Sequence, residues 1–136
     1  MTLTDAGPLV GLVDENDPYH SVCSAATKQL PREPLLTSWP CLTEAMYLLY
    51  RACGFSGQSA LWKMLAGGRL VLHDLSGAEI DRMSALMGKY QDRPMDMADA
   101  SLIAIAETLG LTKVFTLDRD FYIYRLANGK SLEVVP

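Results

Sequence analysis

Asp96-Met-Ala-Asp99-Ala-Ser-Leu-Ile-Ala-Ile-Ala-Glu107-Thr-Leu-Gly110-Leu-Thr-Lys113-Val-Phe-Thr-Leu-Asp118 carries the reading of the fold. An acid that can cap a helix opens it, and an unbroken run of small and apolar helix formers follows. Gly110 stops that run. A short β-branched and aromatic segment, Lys113 to Leu117, then ends on a second acid. A fully apolar helix followed within a few residues by a strand is the signature of a buried α/β layer.

The same alternation continues in both directions. Thr2 to Asp5 predicts a first strand, broken by Gly7-Pro8, with Pro8 in the first turn of a helix through Val13. Asp17-Pro18 predicts the cap of a helix to about Leu30. Leu35 to Ser38 is a second strand, and Pro40 to Ala52 a helix ended by Gly54. Along it Leu42, Ala45, Met46, Leu49 and Cys53 recur at helical spacing. Ser56 to Ala66 is a further helix, stopped by Gly67-Gly68, and Leu70 to His73 is a third strand. Ser76-Gly-Ala-Glu79 reads as a capping box for a helix ending near Tyr90. Leu132 to Val135 adds a fifth strand to the fourth at Lys113 to Leu117. The expected architecture is one α/β domain over residues 1–136, a three-layer α/β/α sandwich with a mostly parallel sheet of four to five strands.

Composition is consistent with that expectation. A chain of 136 residues with 49% apolar content suits one buried core. No apolar run reaches the ~20 residues of a membrane-spanning helix. The opening Met-Thr-Leu-Thr-Asp5 has no basic segment followed by an apolar run, so no signal peptide is expected. Cys23, Cys41 and Cys53 show no paired spacing and read as reduced thiols in a cytoplasm. His20 and His73 lack any ligand pattern, which argues against zinc. The net charge of −4 argues against binding nucleic acid through a strongly basic surface, but leaves room for an enzyme that acts on it. Gly7, Gly67 and Gly68 precede no lysine-serine or lysine-threonine pair, so no phosphate-binding loop is expected.

In a parallel sheet the functional crevice lies beyond the carboxyl ends of the strands. Asp5 and Asp118 fall at such ends. Asp96 and Asp99 begin the helix that leads into the fourth strand, and Glu44 lies in the first turns of the helix after the second. Each acid alone has an ordinary reading: Asp96 as a cap, Asp99 and Glu44 as partners of a helix dipole, Asp5, Asp118 and Asp120 as turn residues. Jointly they predict an acidic cup at one edge, which needs a cation to stay ionised. All-oxygen ligands suit magnesium or manganese. Such an ion neutralises a phosphodiester and activates water. Glu107 is expected to face solvent. Tyr47, Tyr50, Phe55 and Trp62 read as core or interface positions.

Several stretches resemble a PIN domain of the VapC-like toxins of prokaryotic toxin–antitoxin pairs. They are Asp5-Ala-Gly-Pro-Leu-Val-Gly-Leu-Val-Asp14 with Asp17-Pro-Tyr-His20, Thr37-Ser38 through Glu44, Pro94 to Glu107, and Val114-Phe-Thr-Leu-Asp118-Arg-Asp-Phe121. The resemblance implies a magnesium- or manganese-dependent endoribonuclease, with Asp5, Glu44, Asp99 and Asp118 as the acidic quartet. Asp96 stands either as a fifth member or as a cap, and Asp120 competes with Asp118 for the fourth place. Thr116 or Ser38 would hydrogen-bond the cluster or its water. The resemblance also implies an RNA substrate, a homodimer and a small antitoxin. Ala45 to Leu65, with Met46, Leu49, Tyr50 and Trp62, would be the contact surface, and Arg51, Arg119 and Arg125 candidate phosphate contacts. The first strand is shorter and more polar than that family's usual one. Two other readings remain open: a PIN-like module that binds partners without catalysis, and a receiver-type phosphoacceptor domain. The second lacks its lysine, since Arg119 follows Asp118.

Overall fold

The computed structural model describes residues 1–136. Five strands form one sheet: β1 Thr2–Thr4, β2 Leu35–Ser38, β3 Leu70–His73, β4 Lys113–Phe115 and β5 Glu133–Val135. Their spatial order is β3-β2-β1-β4-β5, and every neighbouring pair is parallel. The helices are α1 Ala6–Val13, α2 His20–Gln29, α3 Trp39–Cys53, α4 Phe55–Ala66, α5 Gly77–Lys89 and α6 Met97–Leu109, with a 3-10 turn at Arg119–Tyr122.

The register sorts the strand residues into two faces. Leu3 pairs with both Leu36 and Val114, and Leu36 pairs with Val71. This row packs under α5 and α6, with Met83, Leu86, Leu102 and Ile103 in one buried cluster. On the opposite face Leu70 packs with Leu9, Leu42, Leu49 and Leu61 of α1, α3 and α4, while Phe115 packs with Cys23 and Ala26 of α2. The result is the three-layer sandwich that the alternating pattern predicts. Because α6 is central to its layer, its residues from Ala98 to Ala106 are all buried, which explains why it is apolar all round except at Asp99 and Ser101.

The central strand β1 is short and polar, yet all three of its residues are buried. Its hydroxyl-bearing neighbours make this tolerable: Thr4 Oγ1 donates to the Thr2 carbonyl at 3.0 Å, and Thr37 Oγ1 donates to the Thr4 carbonyl at 2.9 Å.

Several boundaries differ from the sequence reading, each for a local reason. Asp17 does not cap a helix: its Oδ1 accepts from the Tyr19 amide at 2.8 Å, making a turn, and α2 begins only at His20. β1 ends at Thr4 because Asp5 caps α1, accepting from the Ala6 amide at 2.8 Å. β4 ends at Phe115, where the Thr116 hydroxyl takes the Asp118 amide at 3.0 Å and turns the chain. Leu49 belongs to the buried cluster and not to the surface. Tyr47, Tyr50, Phe55 and Trp62 are all exposed, which removes them from the core. Glu107 does not face solvent freely: it pairs with Arg82 Nε at 2.7 Å and accepts from the Ala127 amide, pinning the C-terminal loop to α5 and α6.

Candidate active site

The carboxyl ends of β1, β2 and β4 and the amino end of α6 lie at one edge of the sheet. They bring Asp96 and Asp118 within electrostatic reach of Asp5, Glu44 and Asp99, and Asp5 within reach of Glu44 and Asp99. Asp5 and Asp99 are buried, Asp118 is half-buried, and Glu44 and Asp96 sit at the exposed rim.

Asp5 is held on both oxygens. Oδ1 accepts from the Ala6 amide, and Oδ2 accepts from Thr116 Oγ1 at 2.7 Å. Since the same Thr116 oxygen accepts from the Asp118 amide, one hydroxyl spans from Asp5 to Asp118. The Cys41 thiol lies 3.8 Å from Asp5 Oδ1, and its burial pushes the thiol up, so it stays protonated. Asp99 Oδ2 accepts from the phenol of Tyr124 at 3.0 Å, and its own amide donates to Asp96 Oδ1 at 2.8 Å. Asp96 is thus the cap of α6, and it adds a negative charge beside Asp99.

These acids strain against one another. Burial raises the Asp5 carboxyl, and the charges of Asp96 and Asp118 add to that, against the bonds from Thr116 and Ala6. Burial also raises Asp99, with Asp96, Asp5 and Asp118 adding to it, to about 8. Glu44 is raised by partial desolvation and by Asp5, Asp96 and Asp118. No lysine or arginine pairs with any of the five; the ion pairs of the chain lie elsewhere.

Asp118 and Asp120 separate in space. Asp118 caps the 3-10 turn, accepting from the Asp120 amide at 2.9 Å, and its charge acts on Asp5, Glu44 and Asp99. Asp120 lies 3.7 Å from Arg93 and adds its charge beside Tyr124. Ser38 reaches no carboxylate: its hydroxyl is 2.6 Å from Ser101 Oγ and accepts from the Cys41 amide, so it holds α3 against α6. The sequence reading missed Cys41 and Tyr124. Cys41 sits three residues before Glu44 and could have been found as a small buried group in that first turn. Nothing local marks Tyr124.

The donor set fits a hard divalent cation. It is all oxygen, it carries excess negative charge, and no protein cation neutralises it. No three of these side chains converge closely enough to hold an ion between them. Of the hard cations magnesium asks least of the protein, since it keeps several waters and takes few protein ligands. A cleft of about 690 Å³ opens beside Glu44 and Asp96. A larger one, about 760 Å³, lies next to Leu35 and Arg69 at the amino ends of the strands, away from the acids.

The PIN domain family model matches residues 2–126. The chain is 28% identical to ribonuclease VapC26 of Mycobacterium tuberculosis over 135 residues, covering 98% of this chain and 99% of that one. Its fold superposes on the crystal structure of M. tuberculosis VapC20, a sarcin–ricin-loop-cleaving toxin, with a TM-score of 0.85 at 18% identity over the whole of both chains. VapBC2 of Rickettsia felis, solved bound to a fragment of promoter DNA, matches with a TM-score of 0.63 at 15% identity, over 98% of this chain and 96% of that one. A toxin–antitoxin complex from Klebsiella pneumoniae also matches at 0.63, with 19% identity over 89% and 90% of the two chains. No helix is long and apolar enough to cross a membrane.

Proposed function

The chain belongs to the PIN domain family, and we propose that it is a metal-dependent endoribonuclease and the toxin of a toxin–antitoxin pair. One observation carries the reading: Asp5 and Asp99 are buried together with raised pKa values and no basic partner, at the edge where a parallel sheet places its chemistry. The ribonuclease relative and the toxin–antitoxin structures of the same fold support the substrate and the partner.

Asp5, Glu44, Asp99 and Asp118 are the residues that would hold Mg²⁺ or Mn²⁺. Bound there, the ion supplies neutralisation of the phosphodiester and a water of lowered pKa. The chain's own groups do the rest. Thr116 holds Asp5 and the Asp118 backbone in one register, and Tyr124 fixes the rotamer of Asp99. Asp96 caps α6 and contributes field from the rim. Glu44, the most exposed of the quartet, is free to turn toward substrate or solvent. Asp120, facing Arg93, stands outside the quartet. We place the protein in a cytoplasm, where its three free thiols stay reduced. It works there as a single nuclease domain over residues 1–136, forming a homodimer and binding a small antitoxin through the exposed aromatic side chains where α3 meets α4, Tyr50, Phe55 and Trp62.

The test is cleavage of an RNA substrate by purified protein in magnesium, scored against Asp5→Asn, Asp99→Asn and excess chelator. All three are expected to abolish cleavage, with the circular dichroism of both variants unchanged. Full activity in either variant, or in chelator, overturns the mechanism. A second reading, a PIN module that binds partners without catalysis, draws on the exposed aromatic side chains of α3 and α4. A calorimetric titration in which neither magnesium nor manganese binds would select it.

A further inference from the structure

The shallow, open cleft beside the acids is lined by Trp39, Thr43, Glu44, Tyr47, Asp96 and Met97. Its walls are three large side chains left open to water: Trp39 is 50% exposed, Tyr47 60% and Met97 57%. Gathered on one face, such exposed apolar side chains mark a surface suited to a binding partner. Trp39, Thr43, Tyr47 and Arg51 stand four residues apart and form one row along α3, about 18 Å long at 1.5 Å per residue. The row begins beside the acids and ends on a cation. The Arg51 guanidinium lies over the Tyr47 ring, 5.9 Å from its centre.

We propose that this cleft binds an unpaired nucleobase of the RNA, stacked on Trp39 between Met97 and Tyr47, with Arg51 meeting a backbone phosphate further along. The proposal deepens the nuclease reading and rests on it. Two of the cleft's lining residues, Glu44 and Asp96, are also members of the acid set, so its occupant is a neighbour of the phosphodiester that those acids address. A nucleobase fits the chemistry of the walls: it offers a flat π-face to Trp39, and its amino groups can donate to the rim carboxylates. A phosphate other than the one neutralised by the cation is repelled by those carboxylates and is drawn to Arg51 instead. A base reaches Trp39 only when it is out of its own stack, so the substrate site is a loop or bulge and not a continuous duplex. The cleft therefore supplies binding energy that the acidic net charge of the chain does not.

Trp39 and Trp62 are the two tryptophans, so Trp62→Phe leaves Trp39 as the sole tryptophan, read by exciting at the red edge where the tyrosines do not absorb. Stopped-flow mixing of that variant with a single-stranded RNA oligomer in magnesium, read before turnover, is expected to quench Trp39 saturably. An abasic oligomer of the same length, with equal phosphates and no bases, is expected to leave the emission unchanged. Trp39→Ala on the parent chain should raise KM by about 5- to 100-fold, the loss of one base–aromatic stack, with kcat within a few-fold and recovery in Trp39→Phe. Equal quenching by the abasic oligomer, or an unchanged KM in Trp39→Ala, overturns the base site. An enzyme that cuts RNA while Trp39 emission stays fixed also overturns it, assigning the cleft to a protein partner and leaving the nuclease reading intact. Base-dependent quenching without any cleavage in magnesium does the opposite: the base site stands and the nuclease reading falls.

Discussion

Tyr124 donates its phenolic hydrogen to Asp99 Oδ2 at 3.0 Å, across 25 residues of chain. The ring is fully buried and meets Tyr90 and Phe121 edge-on, at 5.1 and 5.3 Å between ring centres. Asp99 belongs to α6, whereas Tyr124 follows the 3-10 turn that Asp118 opens. The bond therefore ties together the two segments that carry two of the four acids. It also leaves Asp99 Oδ1 as the oxygen free to meet an ion.

Tyr124→Phe keeps the ring contacts and removes only the donor. Its expected effect is a fall in manganese or magnesium affinity of about 10- to 100-fold, the usual consequence of losing a partner that orients a metal ligand. Calorimetric titration of the purified variant checks it, with thermal melting in chelator as the control for packing. Unchanged affinity would show that the bond is structural only.

The raised carboxyl of Asp99 sets a pH dependence with a definite sign. Its folded pKa of about 8 stands above the ordinary carboxylate value of 3.8. The folded state thus binds the proton more tightly than the unfolded chain does. The stabilisation is fully present below about pH 4 and is lost as pH rises toward 8. The metal-free protein should therefore lose melting temperature across that window, and Asp99→Asn should flatten the loss. Magnesium opposes the same repulsion, so it should raise the melting temperature more at pH 8 than at pH 5.5. Melting curves at the two pH values, with and without the ion, decide it, and a magnesium effect equal at both would contradict the assignment.

Thr116 is buried, and its single hydroxyl donates to Asp5 while accepting from the Asp118 amide. Thr116→Val preserves shape and deletes both bonds. An unpartnered amide and a half-held carboxylate should lower stability by about 1–3 kcal/mol and reduce cleavage at fixed magnesium. Urea unfolding and initial rates measure the two effects. Thr116→Ser, which restores the hydroxyl, should recover most of both.

Much of this architecture was legible in the sequence because its signals are local. The capping box of Ser76 and Glu79, the cap at Asp96 and the left-handed stop at Gly110 all stand where their residue types require. Asp17-Pro18 misled because an aspartate side chain serves a turn and a helix cap with the same geometry, and here the turn won. Asp118 and Asp120 could not be told apart locally, since the Arg93 that meets Asp120 arrives from another part of the chain. Tyr124 was invisible for the same reason: its partner Asp99 lies 25 residues away in the chain. Placing acids at strand ends is a topological inference and succeeds from pattern alone, whereas the groups that hold those acids meet them only through tertiary packing.

The exposed side chains of α3 and α4 carry the last prediction. Tyr50, Phe55 and Trp62 are each more than half exposed, whereas Leu49 on the same helix pair is fully buried. The corner between the two helices is tight: a Cβ added at Gly57 would lie 2.9 Å from Cys53 Cβ and 3.4 Å from Leu49 Cβ. Aromatic residues fixed on such a surface are the usual anchors of a protein interface. Phe55→Glu together with Trp62→Ala should leave the monomer's melting temperature nearly unchanged, because neither side chain belongs to the core. The same change should shift a homodimer toward monomer and weaken antitoxin binding by more than tenfold. Sedimentation at several concentrations and titration with the antitoxin read the two contacts separately. If both survive the double substitution, this surface is neither interface, and the partners dock elsewhere on the chain.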